Sequence, residues 1–198
     1  DAHGLQVHLH PRVRYVCLAR NGREVVVSMV AFFQNRPKEF RRLWGGFPPP
    51  KVSIEQVLRV MTVTSPGYFF GYLLHWWPHR RAPNVHLSHY ADLKRNLRRE
   101  AARLAYFLGI DAAAHMDVVV EKAGFAYMKA RAEKFRLWTG PDLTVPLVAN
   151  HINEGRTGGA GARFSAEMNR TWEAAVEEHF GHDPTLIAWA ENGGELPP

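Results

Sequence analysis

The chain has 198 residues, with 25 Lys and Arg against 19 Asp and Glu, a formal net charge of +6 and a hydrophobic share of 46%. This is the composition of an ordinary globular protein and excludes a disordered tail, while the single Cys17 excludes a disulfide scaffold and favours a reducing compartment, which we take to be the cytoplasm. No apolar run reaches the ~18 residues that a membrane helix needs, so we expect no membrane partner and a single domain over residues 1–198.

The first predicted elements are a strand over residues 13–18, a turn at 20–22 and a helix in which apolar residues recur at helical spacing. Asn21 is expected to cap this helix by accepting from a first-turn N–H group. Glu24 is expected to reach back to the backbone of the capping residue.

The rest of the chain alternates between helical patterns and one further strand, which predicts an α/β layered domain with a parallel sheet. In chain order the predicted elements are a helix over 54–61, a mostly buried aromatic helix over 68–77, a strand over 85–90, a helix from Asp92 to Gly109, a helix over 117–131, a glycine-rich loop over 150–161 and a helix over 166–180 closed by Gly181.

The helix that begins near Asp92 is the most strongly amphipathic in the sequence. Its apolar residues between Leu93 and Leu108 are expected to face inward, and its Lys and Arg residues between 94 and 103 to face outward. A basic face of this kind can bind nucleic acid, but it is usually only solvated, so we expect no nucleic-acid partner.

The turn after the first strand is the best candidate site. In open parallel sheets, ligands bind at the carboxyl ends of the strands, where the next helix presents unpaired N–H groups. Arg20 lies there and suits a phosphate, and Ser28, which we place on the inward stripe with Val25 and Phe32, can add a hydroxyl. The alternative is that Arg20 pairs with a surface carboxylate and Ser28 bonds the carbonyl one turn back.

The 11 His residues raise the question of a metal. Two pairs are considered, His8 with His10 and His75 with His79, but Pro78 interrupts the second pair. No carboxylate or Cys stands at ligand spacing beside either pair, so no metal is expected.

Several stretches, taken in order, resemble the PAPS-dependent cytosolic-type sulfotransferases, which transfer a sulfuryl group from 3′-phosphoadenylyl sulfate (PAPS). The resemblance covers nearly the whole chain but only the later two-thirds of a typical family member. The stretches are YVCLARNGREVVVS at 15–28, the segment 67–77 with its Trp pair, the segment 89–109 that begins HYADLK, and GFAYMK at 124–129.

The resemblance implies roles for particular residues. The family's Arg and Ser that hold the 3′-phosphate of the donor fall on Arg20 and Ser28, and its nucleotide-contacting Tyr falls on Tyr90. Its adenine-stacking Phe falls on Phe125, and Gly155 matches a glycine of its cofactor-binding loop.

The fold implied is a three-layer, parallel-sheet, P-loop-like sulfotransferase fold that lacks its N-terminal strand and phosphosulfate loop. The catalytic base implied is His8, with His10 as the second choice. PAPS is the implied co-substrate, and the implied acceptor is a small-molecule alcohol, phenol or amine. A homodimer is a possible assembly. The alternative is an inactive fragment that binds adenosine 3′,5′-bisphosphate weakly or packs with another chain.

Overall fold

The structure is a computed structural model, and it describes residues 8–36, 38–131, 134, 136–138, 144–146 and 157–197. Most of these residues lie in helices, and the strands are short. The helices are α1 Gly22–Gln34, α2 Lys38–Leu43, α3 Ile54–Arg59, α4 Phe70–Trp76, α5 Tyr90–Arg95, α6 Leu97–Leu108, α7 Met116–Ala123, α8 Phe125–Ala130, α9 Ala166–Phe180 and α10 Pro184–Asn192; the strands are β1 Tyr15–Ala19, β2 Val85–His89, β3 Arg136–Trp138 and β4 Thr144–Pro146.

Strands β1 and β2 form a parallel sheet, and β3 and β4 form a separate antiparallel pair. In the parallel sheet Tyr15 pairs with Val85 and Ala19 pairs with His89, so the two strands begin and end level with each other. Parallel neighbours need a long crossover connection, which the chain makes through α1 to α4. The predicted α/β architecture with a parallel sheet is confirmed.

The two faces of β1 differ in exposure. Cys17 and Ala19 are each 4% exposed and belong to the core, whereas Val16 and Leu18 are about half exposed. Parallel sheets are usually covered on both faces. In β1, by contrast, the face that carries Val16 and Leu18 is open among the described residues.

Helix α1 begins as the sequence predicts, with the side chain of Asn21 accepting from the backbone N–H of Glu24. The expected return contact from Glu24 to the backbone of Asn21 is replaced by another. The Glu24 carboxylate accepts instead from the charged guanidinium of Arg20 and from the backbone N–H of Gly158, because both donors lie within its reach.

The core lies between the sheet and helices α4, α9 and α10. Phe70 and Leu73 of α4, Phe180 of α9 and Leu186 of α10 are each 1% exposed. The ring centroids of Phe70 and Phe180 lie 5.0 Å apart. Burying a side chain of this size contributes about 1.5–3 kcal/mol, so these residues hold the C-terminal helices against the sheet.

The aromatic segment 68–77 is mostly buried, as predicted, but its helix is shorter. Residues Pro66–Tyr68 form a 3-10 turn, and Tyr68 is 79% exposed. Helix α4 begins only at Phe70, and a second 3-10 turn, Trp77–His79, accommodates Pro78 at its start. Proline fits there because the first residues of a helix need no N–H donor.

The predicted helix from Asp92 to Gly109 is two helices. Asn96 leaves the helical conformation, with φ −152° and ψ 81°, and its side chain caps α6 by accepting from the N–H of Arg99. The expected stop at Gly109 is confirmed, with a left-handed φ of 69°. The predicted inward face is the less exposed one, but its leucines are only partly buried, and the residue of α6 that is 1% exposed is Glu100, which was not predicted to be buried.

Other boundaries follow the sequence in part. The predicted helix over 117–131 breaks at Gly124 into α7 and α8, whereas α9 has the predicted bounds. Helices α2 and α10 and strands β3 and β4 were not predicted. No helix in the described ranges is long and apolar enough to cross a membrane.

Candidate functional site

Arg20 and Tyr90 lie together at the carboxyl ends of the parallel strands. Arg20 is the residue after β1 and Tyr90 is the residue after β2, and the register pairs the two preceding residues. The Cζ atom of Arg20 lies 4.5 Å from the centroid of the Tyr90 ring, which is a cation–π contact. The structure therefore brings together residues that are far apart in the sequence.

The buried carboxylate of Glu24 joins this site to the glycine-rich loop. Its Oε2 atom accepts from Nε of Arg20 at 3.1 Å, and its Oε1 atom accepts from the backbone N–H of Gly158. Glu24 is 8% exposed. The described end of the loop therefore reaches the strand ends, while Gly155 lies outside the described residues.

Ser28 is exposed, and its predicted place on an inward stripe is wrong. Helix α1 buries Gly22, Glu24 and Val26, and Gly22 packs so closely on Trp172 that a Cβ atom there would overlap the indole. Ser28 follows Val26 by two positions, about 200° around the helix, and so points away from that packing. It lies one turn beyond Glu24 as an exposed residue.

Phe125 is the first residue of α8 and lies beside α5, the helix that Tyr90 begins. The Nζ atoms of Lys94 and Lys129 each lie 5.6 Å from the centroid of its ring. Lys94 is one helical turn beyond Tyr90 on α5. Phe125 is therefore a partly buried ring next to α5, with the ammonium groups of Lys94 and Lys129 close to it.

His8 and His10 lie near the start of β1, at the opposite end of that strand from Arg20. The hydroxyl of Tyr15 donates to the backbone carbonyl of His8 at 3.5 Å and accepts from the backbone N–H of His10 at 3.0 Å. Both residues are exposed. The structure does not bring these residues to Arg20, and the role of His8 as the base stays a prediction.

Sequence reasoning missed His89, which ends β2 directly behind the site. His89 is 1% exposed; its Nδ1 accepts from the N–H of Ala91 at 3.2 Å, and its Nε2 donates to the carbonyl of Ala190 at 3.2 Å. Burial lowers the pKa of His89 below its ordinary value, which keeps the ring neutral.

Asp92 of α5 lies close enough to His89 for its charge to act on the ring, and it holds the chain just beyond α10. Asp92 is 3% exposed, and it accepts from the backbone N–H of Gly194 at 3.0 Å and from Arg95. Asn21 also reaches α10, donating from Nδ2 to the carbonyl of Glu191 at 3.1 Å. The sequence did carry a signal for α10, since Asp183 followed by Pro184 is a strong helix start.

The basic face of α5 and α6 is extensively paired with carboxylates. Glu100 accepts from Nε of Arg99 at 3.0 Å and from Nη1 of Arg103 at 2.8 Å, and Arg98 pairs with Asp117. In the part of the chain that the structure describes, no three His, Cys, Asp or Glu side chains come together in a group that could hold a metal ion.

Comparison with known proteins gives a consistent picture. A family model described as the sulfotransferase domain matches residues 2–182. Sulfotransferase 1E1 of Cavia porcellus is 23% identical over 89% of this chain and 61% of its own length, and the glycolipid sulfotransferase of Mycobacterium bovis (strain BCG / Pasteur 1173P2) is 27% identical over 93% and 66%.

The fold is that of solved sulfotransferases. The crystal structure of mouse sulfotransferase SULT7A1 complexed with PAP superposes with a TM-score of 0.72 at 19% identity, covering 91% of this chain and 63% of that one. The chain thus spans less than two thirds of the length of these relatives. Because the family model matches residues 2–182, most of the sequence, the chain belongs to the sulfotransferase domain family.

Proposed function

We propose that the chain binds the adenosine 3′,5′-bisphosphate part of PAPS at the carboxyl ends of β1 and β2. Arg20 and Ser28 hold the 3′-phosphate, Tyr90 and Phe125 contact the adenosine, and the backbone at Gly155 completes the loop. The observation that carries this proposal is the placement of Arg20 over Tyr90 where the parallel strands end.

The described residues fit a nucleotide phosphate. The Arg20 guanidinium supplies a planar set of donors that suits phosphate oxygens, and it is only partly exposed, at 28% for its side chain. The Tyr90 ring holds that guanidinium from one face. Lys94 and Lys129 add positive charge beside Phe125, so an anionic ligand meets favourable charge along this side.

We propose sulfuryl transfer from PAPS to a hydroxyl or amine of a small-molecule acceptor. PAPS supplies the activated sulfuryl group. The acceptor oxygen or nitrogen forms the new bond to sulfur, the bond from sulfur to the 5′-phosphate oxygen breaks, and the acceptor proton passes to a base, for which His8 is the candidate and His10 the second choice. Positioning and charge stabilisation supply most of the rate in such a transfer.

We place this activity in the cytoplasm. The thiol of Cys17 is free and buried in the core, which suits a reducing compartment. A homodimer remains a prediction for the assembly.

The binding proposal is tested by isothermal titration of the whole chain with adenosine 3′,5′-bisphosphate. Arg20→Ala is expected to weaken binding by about 10- to 100-fold, since a hydrogen bond to a charged group is worth about 1.5–3 kcal/mol. Arg12→Ala is the matched control, because Arg12 is exposed near the other end of β1. Equal binding by wild type and Arg20→Ala would overturn the phosphate assignment.

Transfer is tested separately, because the relatives are longer than this chain. The purified chain is incubated with PAPS and a panel of phenols, alcohols and amines, and sulfated product is measured. Turnover that His8→Ala abolishes supports the proposed reaction and base. Tight nucleotide binding without turnover on any acceptor class identifies the chain as a binding fragment instead.

A further inference from the structure

Glu24 occupies an unusual place for a glutamate in the first turn of a helix. It is 8% exposed, although acidic residues at this position usually stay in water. Both of its carboxylate oxygens accept hydrogen bonds, one from Nε of Arg20 and one from the backbone N–H of Gly158. The carboxylate therefore joins the end of β1, the start of α1 and the glycine-rich loop.

We propose that Glu24 is a positioning residue of the phosphate site, a role that rests on the proposed function. The guanidinium of Arg20 is held on one face by the Tyr90 ring and along its Nε edge by Glu24. These two contacts restrain the orientation of the guanidinium, and with it the direction of the Nη donors that meet phosphate oxygens. The second oxygen of Glu24 sets where the loop approaches the same phosphate.

The contacts require a carboxylate of this length. A glutamine side chain has one acceptor oxygen, and its other terminal atom is an NH₂ donor. It can therefore accept from Arg20 or from Gly158 through its oxygen, but its nitrogen cannot accept from the other. An aspartate keeps the charge but is shorter by one carbon–carbon bond, about 1.5 Å, so it does not reach both donors from the same backbone position. A pair that only stabilised the surface of α1 would need neither the burial nor the second contact.

The experiment measures selectivity between nucleotides by titration of the whole chain. Adenosine 3′,5′-bisphosphate carries the 3′-phosphate, and adenosine 5′-monophosphate lacks it. Glu24→Gln is expected to weaken binding of the bisphosphate by about 10-fold and to change binding of the monophosphate by less than about twofold. Glu39→Gln, an exposed glutamate in the first turn of α2, is the matched control and is expected to change neither.

A double variant shows whether Glu24 acts through Arg20. Because the effect of a positioning residue depends on the residue that it positions, Glu24→Gln is expected to cause a smaller further loss of selectivity in an Arg20→Ala background, where only its contact with Gly158 is left to lose. Equal losses in both backgrounds, an unchanged selectivity in Glu24→Gln, or a gain in bisphosphate affinity would each overturn the proposal. Where Glu24→Gln does not fold, Glu24→Asp carries the test, with an expected loss of selectivity of about threefold and the same criteria.

Failure of the underlying function has a different signature. If Arg20→Ala alone leaves the ratio of the two nucleotide affinities unchanged, the 3′-phosphate is not bound by Arg20, whatever Glu24 does. If Arg20→Ala removes the selectivity but Glu24→Gln does not alter it, the phosphate site stands and the positioning role is wrong.

Discussion

The guanidinium of Arg20 lies over the ring of Tyr90, with 4.5 Å between Cζ and the ring centroid. This contact follows from the register of the sheet, in which Ala19 pairs with His89 and the two strands end together. Each of the two residues is the first after its strand. A shift of the register by one residue would separate them and would also turn the side chains of the moved strand to the other face of the sheet.

Removal of the Tyr90 ring is expected to weaken nucleotide binding. Tyr90→Leu takes away the face on which Arg20 rests, and a cation–π contact is worth about 0.5–2 kcal/mol, so adenosine 3′,5′-bisphosphate affinity should fall by about 2- to 30-fold in a titration. Tyr90→Phe keeps the face and should retain most of the affinity. Tyr106→Leu is the control, since Tyr106 is 90% exposed. Wild-type affinity in Tyr90→Leu would show that the ring does not support Arg20.

Stability is expected to fall as the solution is acidified below about pH 6.5. Burial lowers the pKa of His89 and of His86 in the folded chain. Below about pH 6.5 the unfolded chain therefore takes up protons on these residues that the folded chain does not. The free energy of unfolding is level above this pH and decreases as the pH falls below it. Urea unfolding at pH 7.5, 6.5 and 5.5 measures the trend.

A matched variant assigns that trend to a residue. His89→Gln keeps a donor for the carbonyl of Ala190 and removes one of the titrating rings, so it should reduce the dependence between pH 7.5 and 5.5 without abolishing it, because His86 still titrates. A stability that rises on acidification in the wild type contradicts the proposed neutral state of the buried rings.

Gly193→Ala is expected to destabilise the chain by about 1–3 kcal/mol. Gly193 has φ 65° and ψ −150°, and a Cβ atom there would lie 2.7 Å from Oδ2 of Asp92 and 2.8 Å from Nδ1 of His89. Gly159→Ala is the control, because a Cβ atom at Gly159 meets nothing within 4 Å. Urea midpoints that fall equally for the two variants would exclude a specific clash at Gly193.

Cys17 is expected to resist alkylation in the folded chain. Burial raises the pKa of its thiol to about 11, and the residue is 4% exposed, so at pH 8 it is neither ionised nor accessible. Iodoacetamide should label it slowly in buffer and rapidly in urea, which mass spectrometry resolves because the sequence has one cysteine. Complete labelling within minutes in buffer would show that β1 opens readily.

Local signals in the sequence were sufficient for part of the fold. Asn21 as a cap and Gly109 as a stop act within a few residues, and both were predicted. The break at Asn96 was missed because the apolar period continues across it, whereas the side-chain bond from Asn96 to the N–H of Arg99 favours two helices over one.

The site was predictable in part. Arg20 was predicted from its place after the first strand and again from the family resemblance, Tyr90 was predicted from the resemblance alone, and the structure brings the two together. Ser28 was placed on the wrong side of α1, since helical spacing alone does not say which side packs on Trp172. The bond from His89 to Ala190 joins residues 101 positions apart, and no periodic pattern encodes a contact at that range.

Helix α10 begins at Pro184, beyond the matched residues 2–182, yet it touches the ends of both strands. Its carbonyl groups accept from Asn21 after β1 and from His89 at the end of β2. Amide hydrogens at the two strand ends should therefore show the same opening free energy in hydrogen exchange as those of α10, as one cooperative unit. The opening equilibrium of α10 then sets the fraction of molecules in which the two halves of the site are assembled when a nucleotide arrives.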